Sequence, residues 1–140
     1  MITGKFPHNM IREIYEEPQV VKDTLGEGSK EIQETASEIL SEHYEIIYIT
    51  GSGTSYHAGL SGQYALSTLT GLVTSLIPAS ELPLWIPPII PRKTLLIAIS
   101  QSGESSDVLA AAKAALDRKM DVFGCHEYSR QLPHENVEIY

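Results

Sequence analysis

The chain has 140 residues, 42% of them hydrophobic, and its 18 acidic against 10 basic side chains give a formal charge of −8. That length supports one domain with a real core, no apolar run approaches the roughly 20 residues of a membrane span, and the acidic balance argues against nucleic acid or an anionic membrane as partner. The single cysteine, Cys125, excludes an internal disulfide and a cysteine-based zinc site, and an N-terminus without the apolar centre of a signal peptide points to the cytoplasm.

His8 to Gly28 (HNMIREIYEEPQVVKDTLGEG) reads as two short helical pieces. Pro18 opens the second at its first turn, because proline lacks the N–H that a helix interior needs. Ser29 is a candidate N-cap for the next helix, whose Ile32, Ala36, Ile39 and Leu40 recur as one apolar stripe. The β-branched and aromatic run Glu45–Thr50 predicts a strand. A glycine-serine loop and a helical stretch, SYHAGLSGQYALSTLTG, follow it. Leu72–Pro78 predicts a second strand. The segment ELPLWIPPIIPR holds four of the eight prolines and reads as a fixed, irregular surface connection, with Trp85 as a packed hydrophobic residue or, alternatively, an interface anchor. Thr94–Ser100 predicts a third strand, apolar on both faces and so central in a parallel sheet. After it comes the clearest helix, with Val108, Ala111, Ala112, Ala115 and Leu116 as its buried stripe. DVFGC and NVEIY predict a fourth and a fifth strand. Residues 1–28 are thus read as a helical arm and 29–140 as a single domain. Alternating strands and helices imply right-handed βαβ units in an open parallel sheet, with ligands bound beyond the carboxyl ends of the strands.

Two loops at those ends echo each other: Ser52-Gly53-Thr54-Ser55 after the first strand and Ser102-Gly103-Glu104-Ser105 after the third. Glycine permits a tight turn and close ligand approach. The helix start that follows offers unpaired N–H groups and a partial positive charge, and the hydroxyls add rotatable donors. A single serine there is usually only an N-cap. Two such loops together make a site for a dianion such as a phosphate monoester.

Other loop chemistries fail on residues. Neither loop has the Gly-Lys-Ser/Thr ending of the phosphate loop of nucleotide hydrolases, and Tyr56 stands where the dinucleotide fingerprint needs its third glycine. His57 stands where a nucleophile elbow needs glycine. Ser55 and His57, two apart on a helix, do not face each other. His8, His43, His57, His126 and His134 show no short metal spacing, so neither a metal nor a cofactor is expected. Cys125 reads as a small buried hydrophobe rather than a nucleophile. Glu104 suits the partial positive charge of a helix start.

From His8 to Gly124 the chain resembles the sugar isomerase (SIS) domain family, most closely the first SIS domain in the isomerase half of the glucosamine-6-phosphate synthases. The likeness rests on GSGTSYHAGL, on IPASEL at the end of the second strand, and on LLIAISQSGESSDVLAAAKAA. The resemblance implies a flavodoxin-like, three-layer α/β/α sandwich around a parallel sheet of about five strands. It implies that Ser55, Ser100, Gln101, Ser102 and Ser105 hold the phosphate of a sugar phosphate, with Gly53, Thr54 and Gly103 shaping the loops. Family members usually carry threonine where Ser105 stands, so the hydroxyl is kept. The family's isomerisation residues have no matching positions here, and neither a glutaminase domain nor a second SIS domain is expected within the chain. The likeness fades after Gly124. A SIS domain would extend past Tyr140, so the chain reads as shortened at its C-terminus.

The function expected is hexose 6-phosphate binding by a lone SIS domain, with fructose 6-phosphate or glucosamine 6-phosphate as ligand and without full synthase activity by itself. Expected partners are further copies, as a homodimer or higher homo-oligomer, or a second SIS-domain chain. One alternative is a homo-oligomeric aldose–ketose isomerase with its site across the subunit interface, where Glu104 and His57 would be the acid/base candidates. Another is a folded relic or interaction subunit of a split synthase.

Overall fold

The computed structural model describes residues 8–26, 29–90, 93–125 and 137–139. The chain divides into two compact units, Met1–Glu42 and His43–Tyr140. The first holds α1 (Asn9–Gly26) and α2 (Ser29–Ser41). The two helical pieces expected before Gly28 are one helix, since α1 runs through Pro18. Proline there removes one i→i−4 bond and crowds the preceding turn. No residue of α1 is buried, so that turn is free to adjust. Ties within the helix flank the break: an Arg12–Glu16 ion pair at 3.5 Å before it and a Gln19 to Asp23 hydrogen bond of 2.6 Å after it. The apolar stripe of α2 has helical spacing, but Ile32 and Leu40 are exposed and Ile39 is half-buried. Among the described residues, no helix is long and apolar enough to cross a membrane.

The second unit is built on five parallel strands in the order β2-β1-β3-β4-β5. These are β1 (Ile46–Gly51), β2 (Val73–Pro78), β3 (Thr94–Ile99), β4 (Asp121–Cys125) and β5 (Val137–Ile139). β3 is central, as its two apolar faces predict, and Leu95, Leu96 and Ala98 are all buried.

Side chains alternate across a strand, and the two faces carry different helices. On one face lies α3 (Thr54–Thr70), whose Gly59 sits against Ile49, Leu76 and Ile99. On the other lies α5 (Ser106–Leu116), whose Val108, Ala111, Ala112 and Ala115 join Leu96, Ala98 and Val122 in one core cluster. Alanine at three of those helix positions lets α5 lie close to the sheet. The outcome is the three-layer α/β/α sandwich in flavodoxin order.

The proline-rich segment is less irregular than expected. It contains α4 (Leu82–Trp85), with Pro83 in the first turn, where the missing N–H costs nothing. Leu82 and Ile86 are buried in the α5 core cluster, while Trp85, expected to pack, is 69% exposed. Burying a leucine completely is worth about 1.5–3 kcal/mol, so Leu82 fixes this segment and Trp85 does not. Arg118 ties it to the end of α5 by donating to the carbonyls of Ala114 at 2.9 Å and Pro83 at 3.3 Å.

The edge strand β2 is held from outside its ladder. The side-chain Oε1 of Gln63 in α3 accepts the backbone N–H of Leu76 at 2.9 Å. Thr50, fully buried in β1, donates its hydroxyl to the carbonyl of Ile77 at 2.8 Å.

Candidate functional site

The register of β1 on β3 pairs Gly51 with Ile99, so both strands end at the same level. The two serine-bearing loops leave from those ends, about 4.8 Å apart as neighbouring strands are. The first leads to α3 on one face of the sheet and the second to α5 on the other. They therefore diverge, and a crevice opens between them at the point where strand order reverses.

The first loop is shaped by Gly53, which caps α3 at φ 57°, ψ −125°, a region that L-residues rarely adopt. The turn is closed by Ser55 N–H to Ser52 C=O at 3.2 Å and His57 N–H to Gly53 C=O at 3.4 Å. It aims the first turn of α3, with its positive helix end, at the crevice.

The second loop is closed by side chains. Ser100 is buried, and its Oγ accepts the N–H of Gly103 at 3.1 Å and donates to the Oγ of Ser105 at 3.4 Å. The Oγ of Ser102 accepts the N–H of Glu104 at 3.1 Å. Ser105 occupies the N-cap position of α5, yet its hydroxyl makes no cap bond. The backbone N–H of Ser100 reaches the carbonyl of Cys125 at 3.0 Å, which ties the loop to the end of β4.

Between the loops lies an open cleft of about 370 Å³ lined by Thr54, Ser55, Ala58, Ile99, Ser100, Gln101 and Cys125. Its size falls near the lower end of small-molecule sites, about 300–1,000 Å³. Of the residues expected in the site, Thr54, Ser55, Ser100 and Gln101 come together on this lining. Gly53, Ser102, Gly103 and Ser105 belong to the same two loops but are not among the lining residues. Among the described residues no lysine or arginine lines the cleft, and the donors they offer are hydroxyls, an amide and backbone N–H groups. Such neutral donors with a helix end suit an anion of small size. Glu104 and His57 are exposed and are not on the lining; the His57 ring instead meets the edge of Tyr56, with centroids 5.7 Å apart.

Three lining residues escaped the sequence reading: Ala58, Ile99 and Cys125. Cys125, expected to be a small buried hydrophobe, is exposed. It is the residue where β4 ends, paired in register with Ile99, and strands that end together leave their last side chains at the rim of the sheet. Strand order is the signal that finds it, because only the pairing of β4 with β3 brings position 125 beside the second loop.

The SIS domain family matches residues 40–125 of the chain. The chain is 39% identical over 121 residues to the isomerizing glutamine–fructose-6-phosphate aminotransferase of Pyrococcus horikoshii, covering 86% of this chain and 20% of that protein. It is 42% identical over 118 residues to the Clostridium tetani protein of the same name, covering 80% and 19%. The chain thus spans about a fifth of the length of the curated relatives it matches. Among solved structures, it shares its fold with the C-terminal domain of glucosamine-fructose-6-phosphate aminotransferase from Francisella tularensis, with a TM-score of 0.73, 23% identity, and 95% of this chain and 39% of that one covered. The tagatose-6-phosphate ketose/aldose isomerase of Escherichia coli gives 0.72, 22%, 91% and 38%.

Proposed function

Because this chain belongs to the SIS domain family and is related to the glutamine–fructose-6-phosphate aminotransferases and phosphosugar isomerases, we propose that it binds a hexose 6-phosphate by its phosphate group. Fructose 6-phosphate and glucosamine 6-phosphate are the ligands of choice. The observation that carries this reading is the convergence of Thr54, Ser55, Ser100 and Gln101, from loops on neighbouring strands, onto one cleft at the switch point of the sheet.

The phosphate takes its hydrogen bonds from the hydroxyls of Ser55, Ser102 and Ser105, from the Gln101 amide and the first turn of α3, and from Ser100 once its single hydroxyl proton swings from Ser105 to the ligand. Each bond to a charged group is worth about 1.5–3 kcal/mol. The reading is of binding, and no catalytic residue is assigned. The assembly that goes with this reading is a homo-oligomer or a pair with a second SIS-domain chain.

The test is an NMR-monitored titration with both hexose 6-phosphates. Millimolar or tighter affinity is expected, with at least a tenfold loss on Ser55→Ala. Absence of binding at millimolar ligand, or a Ser55→Ala variant that binds as the parent does, removes the assignment.

A further inference from the structure

The cleft has two unlike sides. Thr54, Ser55, Ser100 and Gln101 supply oxygen and nitrogen atoms; Ala58, Ile99 and Cys125 supply none. These last three come from three different elements, α3, β3 and β4, and they are contiguous. Ile99 and Cys125 are partners in the β3–β4 register and so lie side by side on one face of the sheet. That is the face α3 covers, since Gly59 of α3 sits against Ile99. Ala58 closes the side from one residue earlier on the helix. The partner of Ile99 on its other flank is Gly51, whose open side is taken up by the backbone of Ser55 and Tyr56. The cleft therefore extends from the donor loops along an apolar wall. Its volume of about 370 Å³ lies within the range of small-molecule sites, about 300–1,000 Å³, so it has room for more than a phosphate group.

We propose that Ala58, Ile99 and Cys125 form a second subsite, which receives the carbon skeleton of the phosphate ester, and that side-chain bulk at positions 58 and 125 sets the size of the sugar admitted. The inference rests on the phosphate-binding reading above. An apolar wall suits the C–H face of a sugar, whose hydroxyls point away from it, because C–H against apolar surface leaves no polar group unpaired. The cysteine acts here through its size and lack of charge.

The experiment uses the full chain and two probes, inorganic phosphate and fructose 6-phosphate, each titrated by NMR into the parent, Cys125→Leu and Ala58→Leu. Both positions are exposed, so larger side chains meet no core, and either variant alone carries the test if the other does not fold. The expected result is a loss of affinity for fructose 6-phosphate at least tenfold greater than the loss for inorganic phosphate. Cys125→Ser, close in volume, should bind fructose 6-phosphate within threefold of the parent. Equal losses for the two probes, or no loss for either, overturn the subsite while leaving phosphate binding standing. A parent chain that binds neither probe overturns the phosphate reading, and the subsite with it.

Discussion

The Oγ of Ser100 donates to the Oγ of Ser105 at 3.4 Å, joining the end of β3 to the N-cap position of α5. A serine at that position ordinarily bonds the helix N–H groups, and its replacement by alanine costs about 1 kcal/mol. Ser105 makes no such bond. Ser105→Ala should therefore shift the urea midpoint by less than about 0.5 kcal/mol equivalent, while lowering hexose 6-phosphate affinity about tenfold, the lower end for a hydrogen bond to a charged group. Ser105→Thr should restore binding. A variant that loses stability and keeps its affinity would return Ser105 to a capping role.

The first loop depends on two glycines for different reasons. A Cβ at Gly51 would lie 3.0 Å from the backbone carbon of Ser55 and the nitrogen of Tyr56, where no flexible side chain can give way. At Gly53 there is open space, but the φ of 57° is strained for any L-residue. Gly51→Ala should push the first turn of α3 away from the strand end, costing about 1–3 kcal/mol as overpacking does and removing phosphate binding. Gly53→Ala should cost a similar amount through the backbone alone. Chemical denaturation with a parallel ligand titration separates the two.

Leu82 and Leu84 stand two residues apart in α4, one fully buried and the other 85% exposed. Leu82→Ala should lower unfolding free energy by about 2–5 kcal/mol, the range for a buried leucine that leaves a cavity. Leu84→Ala should stay within about 0.5 kcal/mol of the parent. Urea unfolding of both variants checks the contrast. Equal effects would mean that α4 does not face the core as described.

Salt should not weaken ligand binding. Among the described residues the cleft lining holds no lysine or arginine, and the formal charge of the chain is −8. Screening therefore acts on a net repulsion between protein and phosphate and not on an attraction. Raising sodium chloride from 50 to 500 mM, over which screening lengths shrink about threefold, should leave affinity unchanged or raise it. A steep fall would reveal a lysine or arginine at the phosphate.

The strands and α5 were legible because their side chains face one environment. β3 is apolar on both faces and lies at the centre, and the Val108–Ala111–Ala112–Ala115 stripe is the buried face of its helix. Where a residue's neighbours come from a distant strand, local pattern was silent. Cys125 carries no mark of its place, which depends on β4 lying beside β3. Pro18 misled in the opposite sense, since a local rule about helix interiors gave way in a helix with no buried residue. Trp85 was expected to pack, whereas α4 and its C-cap turn Leu82 and Ile86 inward at i and i+4. The paired loops were readable as motifs. Their adjacency rests on the Gly51–Ile99 register, which no periodicity encodes.

The hydrogen bond from Leu76 N–H to the Gln63 side chain has a bearing on how copies of this chain can meet. β2 is an edge strand, and an unpaired N–H on such an edge is a template for a foreign strand. Gln63 occupies that donor with an amide oxygen from the same chain. An incoming strand would have to displace it before adding a sixth rung to the ladder. The fold thus guards the Leu76 position of this border against strand addition.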